Sequence, residues 1–182
     1  MTLMLTRQLN IRTMAALCGW GLLALTNHPG AALAAADTDL PGAAPNLELV
    51  PAGSLVIPMD NALQALNGKP FNLKSYGLVN ALLQSHIPVK WAIATGKAKD
   101  GIDFTARAQR LLPTTAAASN LSFRAGPFIV HRDFAALARP VMAAFGGSVA
   151  VYELTTNVTV DIRYTLAHKP RILVLEDGNT QT

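Results

Sequence analysis

Short apolar runs bounded by Pro, Gly or Asp recur along the chain at "SLVIPMD", "PVKWAIATG", "SFRAGPFIVH", "SVAVYEL" and "KPRILVLEDG". Runs of this kind read as strands covered on both faces of a sheet. Two segments between them carry helical spacing. In "FNLKSYGLVNALLQSH", Phe71, Leu73, Leu78, Val79, Leu82 and Leu83 fall mostly three and four residues apart, with Asn72 placed to cap and Pro88 to stop the helix. In "RDFAALARPVMAAFGG", Asp133 stands near the start, Gly146-Gly147 supplies the stop, and Pro140 predicts a kink or a division into two short helices. The strand at "SFRAGPFIVH" is expected to break or bend near Gly126-Pro127.

Strand, helix and strand in that order make a βαβ unit. The expected fold class is therefore α/β, a mostly parallel open sheet flanked by helices in a flavodoxin-like or Rossmann-like three-layer arrangement. "TNVTVDIRYTLAHKP" fits two patterns. Val158, Val160, Ile162, Tyr164 and Leu166 alternate with polar residues as in a half-exposed strand, while Val158, Ile162 and Leu166 also form a helical row that Asn157 can cap. A helix over 156–168 would let "SVAVYEL" and "RILVLED" pair in parallel, so the topology favours the helix, with a hairpin as the alternative. Between Gly96 and Leu121 the periodicity weakens, which predicts a long surface excursion holding one short helix at Phe104–Leu112.

The N-terminus changes the picture of where the protein works. "MTLMLTRQLNIR" holds Arg7 and Arg12 and no acid, "TMAALCGWGLLAL" is an apolar core too short to span a bilayer, and "AALAAADT" supplies small residues for signal peptidase. Residues 1–36 are expected to be a signal peptide, cut after Ala34 or, better, after Ala36, and the protein to be periplasmic or secreted. Residues 37–53 then read as a flexible leader and residues 54–182 as one α/β domain. Two units of the net charge of +4 belong to Arg7 and Arg12, and without a basic stripe in the remainder nucleic acid has no support as a partner. The only cysteine, Cys18, lies inside the signal core, so the mature chain has no disulfide or thiol chemistry.

In an open parallel sheet, ligands bind beyond the carboxyl ends of the strands. Those ends carry Asp60, then Thr95-Gly96-Lys97, His131-Arg132-Asp133, Glu153, and Glu176-Asp177-Gly178. The candidate ligand-binding residues are thus Asp60, Lys97, His131 and Asp177 on one rim. No cofactor is implied. "ATGKAKDG" lacks the spaced glycines of a phosphate loop, no Gly-x-Ser-x-Gly elbow occurs, and His86, His131 and His168 have no ligand spacing. Trp91 reads as core.

"VIPMDNA", "SYGLVNALLQSHIPVKWAIATGKAKDGIDFTA", "RAGPFIV" and "KPRILVLEDGN" together resemble the opening part of a family of uncharacterised exported bacterial α/β proteins, over residues 54–179. The resemblance implies a longer chain continuing past Asp177-Gly178 and brings no activity that transfers residue by residue. The expected function is a non-catalytic module that binds a small molecule or a protein partner at the rim. The alternative is a metal-dependent exported hydrolase or transferase using Asp60, Asp177 and His131.

Overall fold

A computed structural model describes residues 43–64 and 72–169 and shows a single eight-stranded sheet with two helices. The strands are β1 (Leu47–Val50), β2 (Leu55–Ile57), β3 (Val89–Ala92), β4 (Ile102–Leu112), β5 (Ser119–Arg124), β6 (Phe128–Val130), β7 (Val151–Leu154) and β8 (Val158–Leu166). The helices are α1 (Lys74–Gln84) and α2 (Arg132–Phe145). The strand order is β1-β8-β3-β6-β2-β7-β4-β5, and every neighbouring pair is antiparallel.

The expectation of a parallel three-layer sheet is therefore corrected. β2 and β3 do run in the same direction with α1 crossing between them, as the βαβ reading requires. They are not neighbours, because β6 lies between them and pairs antiparallel with both. In the same way α2 connects β6 to β7, and β2 lies between that pair. The result is two interleaved split β-α-β units, the connectivity of a ferredoxin-like sheet. The crossovers are written in the sequence; the strand that fills each gap comes from elsewhere in the chain.

Two further pieces widen this centre. The β4–β5 hairpin adds to β7 on one side, and β8 followed by β1 adds to β3 on the other. Both pieces overturn an expectation. Residues 104–112 read as a helix because Ala106, Ala108, Arg107 and Gln109 are good helix formers. Phe104, Ala106 and Ala108 nevertheless face inward while Thr105 and Arg107 face out, which is the period of a strand. Residues 156–168 form no helix either: Val160 and Ile162 are buried on one face of β8, and the alternating pattern decides. β1 lies within the stretch that reads as leader, and it is held to the sheet by its ladder with β8.

The sheet curls enough for β4 and β8 to touch although four strands separate them in the order. Its concave side encloses Val56, Phe104, Phe123, Ile129, Tyr152 and Ile162. The opposite face carries Leu55, Ile57 and Val130 and is covered by Leu78 and Leu82 of α1 and by Ala138 and Met142 of α2. Each helix therefore needs only one apolar stripe. Lys74 N–H donates to Asn72 Oδ1 at 3.1 Å at the start of α1, and His131 caps α2. Pro140 lies within α2. The expected signal segment 1–36 and the terminal run "PRILVLEDG", with Glu176 and Asp177, lie outside the described residues.

Candidate functional site

Antiparallel pairing splits the rim that the sequence suggests. β2 and β3 deliver Asp60 and Lys97 to one end of the sheet. β6 and β7 run the other way and deliver His131 and Glu153 to the opposite end. Consistent with this, Arg132 N–H donates to Ser54 Oγ at 3.1 Å, at the start of β2 rather than its finish. His131 is a helix cap there, its Nδ1 accepting from Asp133 N–H at 3.4 Å, and Glu153 pairs with Arg139 at 2.8 Å. Asp177 lies outside the described residues, so Asp60 and Lys97 are the pair of expected site residues that the fold brings to one end.

Around Asp60, three connections meet: the turn after β2, the β3–β4 loop and the β5–β6 turn. They bound an open depression of about 440 Å³ lined by Met59, Asp60, Asn61, Ala62, Asp100, Arg124 and Ala125. Asp60 is 7% exposed. Its Oδ1 accepts from the N–H groups of Ala62 (3.0 Å) and Leu63 (2.8 Å), and Gln64 N–H closes the turn on its carbonyl at 3.0 Å. Its Oδ2 is buried and accepts nothing among the described residues. Leaving a buried acceptor unpaired costs about 1–3 kcal/mol, so such atoms are few in native proteins. Arg124 donates from one terminal nitrogen to the Asp100 carbonyl at 3.0 Å and pairs with no carboxylate among the described residues. Asp100 and Ala125 both take left-handed backbone conformations, with φ of 60° and 61°. For residues with a Cβ this costs on the order of 1 kcal/mol each, and strain of this kind clusters where geometry serves a ligand.

Two buried aspartates hold the loops in place. Asp103 sits at a register shift at the start of β4, its side chain fully buried. One oxygen accepts from Ala94 N–H at 3.0 Å and from the Lys97 ammonium, and the other accepts from Gly126 N–H at 2.9 Å. It thus ties the β3–β4 loop to the β5–β6 turn, and Lys97 has a structural partner rather than a free charge. Asp161 on β8 accepts from Asn46 N–H at 2.9 Å, from Thr95 N–H at 2.8 Å and from the Thr95 hydroxyl at 2.7 Å. Burial pushes its carboxyl up, but the Thr95 hydroxyl and amide, the Asn46 amide and the Arg163 charge outweigh burial and hold it below the usual carboxylate range.

A carboxyl lowered on folding contributes stability above its unfolded pKa, near 3.9. That contribution disappears as pH falls through the still lower folded value. Asp161→Asn is expected to flatten the acid limb of the stability profile below about pH 4, and urea unfolding between pH 2 and 7 checks this. An unchanged acid limb would show that Asp161 contributes nothing to stability against acid.

Behind the depression, Gln64 replaces a missing rung between β2 and β7. Its side-chain nitrogen donates to the carbonyls of Pro58 (2.9 Å) and Ala150 (3.1 Å), and its oxygen accepts from Ala150 N–H at 2.8 Å. Tyr152 reaches the Leu63 carbonyl at 3.4 Å from the concave core. Burial raises its phenol pKa despite the Arg110 guanidinium, and the Asp60 charge pushes the same way. The group therefore remains a neutral hydroxyl beside Asp60.

Asp103, Asp161, Gln64 and Arg124 are absent from the rim derived from the sequence. The signal that would find the two aspartates is an acid set inside an apolar run, in "GIDFTA" and "TVDIRY". Among the described residues no group of three or more His, Cys, Asp or Glu side chains gathers to hold a metal. Asp60 and His131 lie at opposite ends of the sheet, so they cannot share one. No family model, no curated protein and no solved structure matches the chain.

Proposed function

We propose that this is an exported, non-catalytic domain that binds a small polar ligand in the depression at Asp60. The single observation that carries this reading is the Asp60 carboxylate, buried beside an open depression with one oxygen committed to the chain and the other unpaired. A group kept only to cap the turn would need Oδ1 alone. Export rests on the N-terminal pattern of basic, apolar and small residues, and agrees with the resemblance to exported bacterial proteins. The lining residues offer two carboxylates and a guanidinium but no nucleophile set beside a base, which favours binding over reaction.

A thermal-shift panel of polyols, monoamines, carboxylates and amino acids tests the reading on wild type and Asp60→Asn. At least one class is expected to raise the melting temperature of the wild type and to leave the variant unmoved, because a ligand stabilises only the state it binds. No shift with any class, or equal shifts in both proteins, would overturn it.

A further inference from the structure

Three charged residues line the depression: Asp100, whose exposed carboxylate lies 3.8 Å from the Lys99 ammonium, and Asp60 and Arg124, which do not neutralise each other. Among the described residues, Asp60 offers a buried oxygen with no donor, and Arg124 offers guanidinium nitrogens that pair with no carboxylate. Had the site evolved only to close the sheet end, an Asp60–Arg124 ion pair would be the simplest way to satisfy both. The two instead line one depression from different connections, Asp60 from the turn after β2 and Arg124 from the end of β5; backbone N–H groups hold Asp60 Oδ1, and the Asp100 carbonyl holds one terminal nitrogen of Arg124. A ligand that completes both must bring an N–H-bearing cation and an anion in one small molecule.

We infer that the ligand is a small zwitterion of the amino-acid class, its ammonium donating to Asp60 Oδ2 and its carboxylate received by Arg124. This rests on the proposed binding function and names its chemistry. Charge-assisted hydrogen bonds are the strong ones, and a guanidinium fork matches a carboxylate's two oxygens. Asp60 Oδ2 lies beneath the surface, so the proposal requires the exposed Asn61–Ala62 turn to shift outward before the donor can reach it. Association should accordingly be slower than for an open surface site. The left-handed Asp100 and Ala125 hold the far wall, where Arg124 is anchored through the Asp100 carbonyl.

Calorimetric titration with glycine, β-alanine and γ-aminobutyrate, whose charges stand at increasing separations, identifies the spacing that fits. Ethanolamine lacks the anion, propionate lacks the cation, and glycine betaine has a cation with no N–H. The best-fitting amino acid is expected to bind about ten- to a hundredfold more tightly than any of these three. Arg124→Gln should reduce amino-acid binding to the ethanolamine level while leaving ethanolamine itself unchanged. Asp60→Asn should weaken every amine. Arg124 is exposed, so its substitution tests the idea in a folded protein even if the Asp60 variant is damaged; the unfolding midpoint of each variant is recorded alongside. Ethanolamine or a polyol binding as tightly as the amino acids, with no effect of Arg124→Gln, overturns the zwitterion and leaves the binding site standing. No binding by any of these compounds or by the wider panel overturns both.

Discussion

Asp103→Ala is expected to destabilise the domain by about 3 kcal/mol, the lower end of what removal of one partner from a buried ion pair costs. The fully buried carboxylate serves Ala94 N–H, Gly126 N–H and the Lys97 ammonium at once. Without it two backbone donors lose their acceptor. Lys97 is stranded as well, although at 20% side-chain exposure it can still turn toward water, which keeps the cost from the upper end. Urea unfolding measures the loss, and Asp103→Asn, which retains an acceptor without the charge, should fall between the two. The β5–β6 turn would also lose its tie to the β3–β4 loop, so ligand affinity should drop with stability. A loss below about 1 kcal/mol would mean that water replaces the carboxylate and that Asp103 does not organise the site.

Gly126→Ala is expected to cost roughly 2–4 kcal/mol through two independent terms. Gly126 has φ +69°, where a Cβ is strained, and a Cβ built there would stand 2.6 Å from Trp91 Nε1. That nitrogen donates to the Gly126 carbonyl at 3.0 Å, so indole and turn cannot separate without losing a hydrogen bond. Trp91 is itself fixed between Phe128 and Tyr164, with ring centroids 5.8 and 6.3 Å away. The turn must therefore move, and Arg124 and Ala125 move with it. Thermal unfolding and tryptophan fluorescence report the two consequences together. A variant with wild-type stability and an unchanged tryptophan spectrum would contradict this packing.

What the sequence discloses of this fold is local. Both helices, and the strands at 54–60, 89–95 and 148–154, follow from apolar spacing, because each must bury one face or both. Neighbour relations do not follow from it. An apolar run such as "PFIV" reads the same whether its partners are parallel or antiparallel, and only the interposition of β6 between β2 and β3 separates a split β-α-β sheet from a parallel one. Alanine hides the strand in "DFTARAQRLL", since it is small enough to face either way and has high helix propensity.

The site suffers more from the same ambiguity. Asp60 is legible as an acid ending a buried strand, and its place at the sheet end holds. His131 and Glu153 go to the other end because strand direction, not strand content, assigns ends. Arg124 carries no signal at all: an exposed arginine closing a hairpin strand becomes part of a site only when the β5–β6 turn folds against Asp60.

Whether the unpaired Asp60 oxygen is held for a ligand or for the fold is decided most directly by urea unfolding of Asp60→Asn without ligand. Asparagine keeps the Oδ1 acceptor for Ala62 and Leu63, and Asn and Asp serve equally well in such turns. Stability within about 1 kcal/mol of the wild type is expected, because an unpaired buried carboxylate oxygen gives way to an unpaired amide nitrogen and no bond that the fold uses is lost. A loss of about 2 kcal/mol or more would show that both oxygens work for the fold, and would contradict the proposed ligand role.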